Sequence, residues 1–496
     1  MRIGEYEFKT RPMGHQVKAL RDLIEHKGTR ALLMDPGTGK TKPIIDYLGL
    51  LWTRFGQIDW MVTAPLAALD TWPAEFDKHL PESVPLRLIV LDTRYTIQQK
   101  IEKIEELAGH GTHLKLRVVL INHDAFASRA RVAGYASKDQ RDALEEVMSL
   151  WRPDGITVDE SQRIKNPTAN RSVAIYRVGK FTPRRQILTG TVTPRNPLDV
   201  YGQWRYLNES RFPWKWSEFQ QRYAIWGGFS GYEVTRWINQ DDLRKRIQKD
   251  ATIVRKKDAL DLPDYTDRII PVRLGRHEQK AYNEMGDQLI TQLPSGDRAI
   301  APIVLTKILR LRQITGGFIG YEDDEYRRKT EILGDSKLRY LQDRLEDLID
   351  ADMKVVVFAH FKPDITRIHE MVAKKFKKIP CFRVEGATPN TQRKGQRRGF
   401  AEADGAAVLV AQMRTMSLAV NELVASSHAI FYSLSERRED LDQARDRLYR
   451  HGQTEPVTFD YLTVPGSIDQ IMLDAHRERT SLEQKLLENP TSLRLT

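Results

Sequence analysis

The chain has 496 residues, too many for one ordinary core, and 40% of them are hydrophobic, enough for globular packing in two or three domains. Lys and Arg number 78 against 67 Asp and Glu, a surplus of 11 that suits an anionic partner such as nucleic acid, although it also simply keeps a protein soluble. The single cysteine, Cys381, excludes an intramolecular disulfide and a cysteine-based metal cluster. No low-complexity tract argues for disorder, the polar start "MRIGEYEFKT" is unlike a signal peptide, and no apolar run reaches the length of a membrane span. These features predict a soluble, cytoplasmic protein without a membrane partner.

Short apolar runs recur from the start: "RALLMD", "WMVTAPL", "LRLIVL", "RVVLIN", "GITVDE" and "RQILTG", separated by amphipathic stretches such as "TIQQKIEKIEELAG". Strands apolar on both faces that alternate with helices predict a parallel sheet covered on both sides. The rhythm stops near 205. Residues 206–335 read as a mainly helical insert rich in Trp and basic residues, with runs such as "FPWKWSEFQQRYAIW" and "RKRIQKDATIVRKK". The strand pattern then returns in "KVVVFAHF", "CFRVEG", "AAVLVAQ", "HAIFYS" and "VTFDYLTV". The predicted fold class is therefore α/β, with parallel-sheet domains over 1–205 and 336–496 flanking the insert.

The first strand runs into "DPGTGKT", residues 35–41. Gly37 and Gly39, with Thr38 between them, let the backbone turn so that its N–H groups share one concavity. Lys40 supplies a cation for terminal phosphates, Thr41 a hydroxyl for Mg²⁺, and a helix starting there adds its positive dipole end. The fuller signature has a glycine where this chain has Met34.

Further along, "GITVDESQRIKN" ends an apolar ramp on adjacent carboxylates, Asp159 and Glu160. Two like charges so close repel, and burying either is costly without a cation opposite. A solvated turn would carry such a pair too. In a phosphate-binding domain, however, a strand-end Asp holds Mg²⁺ and the following Glu orients the attacking water. "LTGTVTPRNPLDVYGQW" reads by itself as a loop. "QARDRLYRHGQT" places Gln443, Arg447 and Arg450 so that, if helical, the two arginines share a face. A guanidinium fork suits phosphate oxygens, while a solvated helix face would look the same.

Together the motifs resemble helicase superfamily 2, and within it the Swi/Snf-like double-stranded DNA translocases. The likeness rests on "DESQRIKN", "LTGTVTPRNPLDVYGQWRYL", "VRKKDALDLPDYTDRIIPV", "LRLRQI", "DSKLRYLQDRLEDL" and "ARDRLYRHGQTEPV", which occur in the family's order from about residue 8 to 475. It implies two RecA-like domains, ATP and Mg²⁺ as cofactors, and double-stranded DNA as partner. Residue by residue it assigns Gln16 to the adenine edge, Lys40 and Thr41 to phosphate and Mg²⁺, Asp159 to the metal and Glu160 to the catalytic base. Arg447 and Arg450 complete the site from the second domain, with Arg450 as the finger. Thr189 and Thr191 couple hydrolysis to motion. "VTAPLAALDTWPAEF", "LINHDAF" and "VEGATPNTQRKGQRRGF" correspond to DNA-contacting segments. The family's glycine-rich turn before Asn421 is replaced by Met416, Ser417 and Ala419, which puts coupling in doubt.

ATP-driven translocation along duplex DNA is the function this implies, with ATP bound in a cleft that opens and closes. Strand separation and a nucleotide-dependent clamp or scaffold stay as alternatives. No recognition module is read outside the motor, so a targeting protein is an expected further partner.

Overall fold

The structure, a computed structural model, describes residues 3–69, 71–109, 114–127, 143–190, 196–227, 233–290, 301–322, 328–416, 422–478 and 495. Two compact units divide the chain, Met1–Asp261 and Leu262–Thr496.

In the first unit, the strands β1 (Arg30–Met34), β2 (Ile58–Ala64), β3 (Leu86–Leu91), β4 (Leu116–Asn122), β5 (Gly155–Asp159) and β6 (Arg184–Thr189) are the six apolar runs read from the sequence. Two antiparallel strands follow, β7 (Ala224–Gly227) and β8 (Glu233–Trp237), and then β9 (Ala251–Val254). The main sheet has the order β3-β4-β2-β5-β6-β1-β9, and every neighbouring pair is parallel. Side chains alternate between its faces as the pleat requires: Ala31 and Leu33 join the core on one side, Leu32 and Met34 that on the other. Each such leucine or methionine side chain taken from water stabilises the fold by about 1.5–3 kcal/mol.

Glycine at the head of β5 has a packing cause. A Cβ on Gly155 would strike the indole of the fully buried Trp60. The ring fills the space that a side chain at 155 would need.

The second unit carries β10 (Tyr265–Pro271), the antiparallel pair β11 (Phe318–Glu322) and β12 (Arg328–Ile332), then β13 (Lys354–Ala359), β14 (Cys381–Val384), β15 (Ala407–Gln412), β16 (His428–Phe431) and β17 (Val457–Thr463). Its main sheet runs β10-β17-β16-β13-β15-β14, again parallel throughout. Val356 and Phe358 face one core, and Val355, Val357 and Ala359 the other. Both units are thus parallel α/β layers buried on two sides, the RecA-like arrangement expected.

Residues 206–335 hold more helix than strand, yet they do not stand apart from the two units. β9 pairs with β1 in register Ala31 to Ala251, and β10 pairs with β17 in register Tyr265 to Val457. Backbone pairing thus draws β9 into one main sheet and β10 into the other, while β7–β8 and β11–β12 form two-stranded sheets of their own. Among the described residues, no helix is long and apolar enough to cross a membrane.

Candidate active site

β1 delivers the chain to the phosphate loop, and β9 holds the loop's first residue. The Asp35 N–H donates to Val254 O at 3.0 Å, and Asp35 Oδ2 accepts the Lys256 N–H at 2.8 Å. Gly37 (φ 85°) and Gly39 (φ 73°) then adopt left-handed backbone, which a side chain would strain. The buried Thr38 closes the turn by donating its hydroxyl to Asp35 O at 2.7 Å.

Helix α1 (Gly14–Glu25) fixes the loop from the other side. His15 Nε2 donates to Thr38 O at 2.8 Å, and Gln16 Nε2 to Gly39 O at 3.2 Å. Two consecutive loop carbonyls are thereby occupied. Gln16 Oε1 accepts the Met13 N–H at 2.9 Å, so both ends of this amide have protein partners. A Cβ on Gly39 would collide with the Gln16 amide nitrogen. Lys40 caps helix α2 (Thr41–Phe55), and Thr41 is that helix's first residue.

The acidic pair lies at the end of β5. Asp159 is buried; its Oδ1 accepts the Glu160 N–H at 2.9 Å and its Oδ2 the Trp72 indole N–H at 3.1 Å. Burial raises the Asp159 carboxyl above the usual carboxylate range, Lys40 opposes this, and Glu160 adds to it. The Asp159 carbonyl accepts from His123 Nε2 at 2.7 Å, which leaves His123 Nδ1 to accept the Thr63 hydroxyl at 2.8 Å. Burial lowers the His123 pKa to about 4, so the ring is neutral near pH 7.

Glu160 turns sharply away. Its φ of 48° and ψ of 54° are left-handed, a conformation that costs an L-residue roughly 1–2 kcal/mol. The turn sends the two adjacent carboxylates to different partners. Glu160 Oε1 accepts from Lys40 Nζ at 3.2 Å and Oε2 from Gln162 Nε2 at 2.7 Å. Gln162 Oε1 in turn accepts the Thr189 hydroxyl at 2.8 Å. One hydrogen-bonded chain thus joins the phosphate-loop lysine, the carboxylate after β5 and the last residue of β6, where the next turn begins. Gly190 in that turn packs on Pro36 of the phosphate loop, where a Cβ would collide with the proline ring. Thr191 lies outside the described residues.

Sequence reasoning left Gln162, Trp72 and His123 without a role at this site. Trp72 and His123 fall in segments expected to contact DNA, yet both side chains are buried against Asp159. Any contact with DNA from those segments rests on their other residues.

The oxygen donors of Thr41 and Asp159 suit a hard divalent cation. Among the described residues there is no cluster of three or more His, Cys, Asp or Glu that could hold a metal by itself.

The arginine motif belongs to the second unit. Its helix spans Arg438–Leu448, so Arg447 is in the last turn, buried, while Arg450 lies beyond the helix end. The expectation that the two arginines share a helical face is therefore corrected. Tyr449 leaves helical geometry at ψ 81°, and Gly452 reverses the backbone at φ 98°. The buried Gln453 amide holds this turn, donating to Ser426 O at 3.0 Å and lying 3.3 Å from both Leu448 O and Val424 O. Arg445 serves packing: it stacks on Phe459 and Tyr265 at 4.5 and 5.0 Å and donates to Asp267 at 3.0 Å. In the altered turn Met416 ends a short 3-10 helix, and Ser417, Ala419 and Asn421 lie outside the described residues.

A parallel sheet whose first strand feeds a glycine-turned phosphate loop, with an Asp-Glu pair at the end of the next strand but one, defines the class: a phosphate-loop ATPase of the helicase type. Comparison with known proteins agrees. The SNF2-related domain matches residues 15–316 and the Helicase conserved C-terminal domain matches residues 336–452. The chain belongs to the SNF2-related family, DNA-dependent ATPases of helicase superfamily 2.

Protein CHROMATIN REMODELING 4 of Arabidopsis thaliana is 23% identical over 492 residues, 95% of this chain and 21% of its own. The SWI/SNF-related matrix-associated actin-dependent regulator of chromatin subfamily A-like protein 1 of Xenopus tropicalis is 23% identical over 478 residues, 92% of this chain and 43% of its own. The DNA annealing helicase and endonuclease ZRANB3 of Homo sapiens is 22% identical over 459 residues, 90% of this chain and 38% of its own. The chain therefore spans less than half the length of each of these relatives. A solved structure, the SWI2/SNF2 ATPase core of Sulfolobus solfataricus in complex with double-stranded DNA, is 19% identical, with a TM-score of 0.41 over 98% of this chain and 94% of that one.

Proposed function

We propose that this chain is an ATP-driven translocase on double-stranded DNA, acting by remodelling, by displacing bound protein or by reannealing strands. The observation that carries the reading is the chain of contacts from Lys40 through Glu160 and Gln162 to Thr189. It ties a phosphate-binding cation to a carboxylate placed as a base, and ties both to the turn that the family resemblance assigns to coupling. Membership of the SNF2-related family supports duplex DNA as the polymer.

In this reading, ATP takes Lys40 away from Glu160. The ammonium moves to the terminal phosphates, and the carboxylate, still held by Gln162, orients water and accepts its proton. Loop N–H groups between Gly37 and Lys40 receive phosphate oxygens, while Gln16 keeps the loop shaped and faces the adenine side. Thr41 and Asp159 would hold Mg²⁺, which when bound neutralises charge on the phosphates. Arg447 and Arg450 act from the second unit during turnover, with Arg450 on the γ-phosphate. Basic side chains on both units grip DNA phosphates, which provides affinity with little sequence preference.

ATPase rates with and without blunt duplex, beside triplex displacement and forked-duplex unwinding, test this. Duplex-stimulated hydrolysis with triplex displacement supports translocation. Unwinding without triplex displacement replaces it with a strand-separating helicase, and binding without turnover replaces it with a clamp.

A further inference from the structure

His123 joins three strands at the site. It follows the last residue of β4, and in the sheet β4 and β5 flank β2 on either side. The imidazole therefore passes the end of β2 to meet β5. Its Nδ1 accepts the hydroxyl of Thr63 on β2 at 2.8 Å, and its Nε2–H donates to the Asp159 carbonyl at 2.7 Å. Both Thr63 and His123 are buried. A carbonyl only accepts, so Nε2 carries the proton, and the Thr63 hydroxyl favours this tautomer by donating to the bare Nδ1.

The carbonyl that His123 holds belongs to the peptide between the two acidic residues. That peptide's N–H is held as well, by Asp159 Oδ1 at 2.9 Å. On the far side of the Glu160 Cα, the Glu160 carbonyl accepts the Arg163 N–H at 3.0 Å, at the start of the short 3-10 helix Ser161–Ile164. Buried Ser161 anchors this turn by donating its hydroxyl to Gln203 Oε1 at 2.7 Å. The φ and ψ of a residue are set by the orientations of the two peptide planes beside it. Here both planes are held, and they meet at φ 48° and ψ 54°, a region unfavourable to a residue with a Cβ. Turning the 159–160 peptide over would take Glu160 out of that region, but it would break the His123 and Asp159 contacts together.

We propose that His123 is a positioning residue for ATP hydrolysis: it locks the Asp159–Glu160 peptide and so keeps the Glu160 carboxylate aimed at Lys40 and Gln162. A carboxylate that leaves this direction loses the geometry from which it takes a proton from water. Trp72 complements the lock by holding Asp159 Oδ2 at 3.1 Å, so the metal-side carboxylate is fixed by a different donor from the one that fixes the base. The inference rests on the reading of Glu160 as the base and deepens it, by naming what holds that base in a strained backbone.

The test uses the whole chain, with ATP turnover measured with and without blunt duplex and affinity measured with a fluorescent ATP analogue. Two amides at position 123 separate the two ring nitrogens. Glutamine places an N–H where Nε2 stands, whereas asparagine reaches only as far as Nδ1. His123→Asn should lose kcat by on the order of 10²-fold, the penalty of a misplaced catalytic group, with KM for ATP and analogue affinity near parental. His123→Gln should recover most of that loss. Thr63→Val removes only the hydroxyl that selects the tautomer, and it should lower kcat less than His123→Asn does. Urea midpoints show whether each variant is folded. His123→Asn turning over as fast as His123→Gln, or kcat that follows the urea midpoint rather than the donor's position, overturns the lock. Parental hydrolysis in Glu160→Gln, with His123→Gln still faster than His123→Asn, would instead remove Glu160 as the base and leave His123 acting through Asp159.

Discussion

Lys40 Nζ stands 3.2 Å from Glu160 Oε1, a pair joined across 120 residues by the adjacency of the loop after β1 to the end of β5. The two charges partner each other. On the proposed reading, ATP competes with Glu160 for the lysine and in doing so releases the proposed base. Lys40→Ala removes the phosphate contact and leaves Glu160 without this cation. Turnover should be abolished, while duplex affinity, measured by fluorescence anisotropy, should stay within about twofold because phosphate contacts are spread over many residues. Parental ATPase in this variant would make the phosphate-loop assignment wrong.

Asp159 and Glu160 should fail differently. Glu160→Gln keeps the shape and the Gln162 contact but takes no proton, so ATP should bind and persist unhydrolysed. Asp159→Ala removes an oxygen donor for Mg²⁺ and orphans the Trp72 indole N–H, which costs about 1–3 kcal/mol of stability. Titration with a fluorescent ATP analogue should show near-parental affinity in the first and clear weakening in the second. Equal affinities would remove the division of roles.

Glu160 also stores backbone strain at φ 48°. Glu160→Gly fits the left-handed region freely and should stabilise the nucleotide-free protein by on the order of 1 kcal/mol, less the lost ion pair, while ending hydrolysis. Urea unfolding followed by circular dichroism reads the first effect. A lower midpoint than the parent's would show that the Lys40 contact outweighs the strain.

The second unit offers a pH test. Burial lowers the His360 pKa to about 4, helped by the nearby Arg312. An unfolded histidine titrates near 6.5, so as pH falls the unfolded chain takes up its proton first. The contribution of the neutral ring is complete above about pH 6.5 and is lost as pH falls towards 4, by on the order of 3 kcal/mol at most. Asp364 in the same unit is raised to about 7 by burial and has the opposite sign, so a difference measurement is needed. The stability gap between the parent and His360→Gln should narrow from pH 7 to pH 5. A constant gap would mean that His360 does not titrate as its burial dictates.

How much could be read beforehand depended on how local each signal was. "RALLM" and "KVVVFA" announced β1 and β13 because both their faces are buried, and such runs need no knowledge of partners. β9 was hidden: "ATIV" is four residues long and flanked by Lys249, Asp250, Arg255 and Lys256, so it vanished into a basic, helix-like stretch. The residue types of the phosphate loop and acidic pair were legible, since their chemistry demands them. The contacts of His123 and Trp72 with Asp159 and of Gln162 with Thr189 were not, because topology alone brings such distant positions together. Arg450 had a local sign against a continuing helix in Gly452, two residues on.

Arg450 provides the sharpest test of action by the second unit. It lies past the end of the helix Arg438–Leu448, on a turn held by the Gln453 amide rather than by helical hydrogen bonds. If it reaches the γ-phosphate only during turnover, Arg450→Ala should leave ATP affinity nearly unchanged and slow hydrolysis; arginine fingers contribute roughly 10³-fold or more. Arg450→Lys should rescue poorly, since an ammonium lacks the planar fork. Gln453→Leu removes the donor to the carbonyls around the turn while Arg450 itself stays. It should lower kcat with little change in KM for ATP, because the guanidinium is then presented less often in the right place. Duplex DNA should stimulate the parent, but hardly Arg450→Ala. The measurements are DNA-stimulated ATPase and nucleotide affinity for all four proteins. Full duplex stimulation of Arg450→Ala would remove this residue from the site and leave "QARDRLYRHGQT" as a helix end whose arginines serve packing, as Arg445 does.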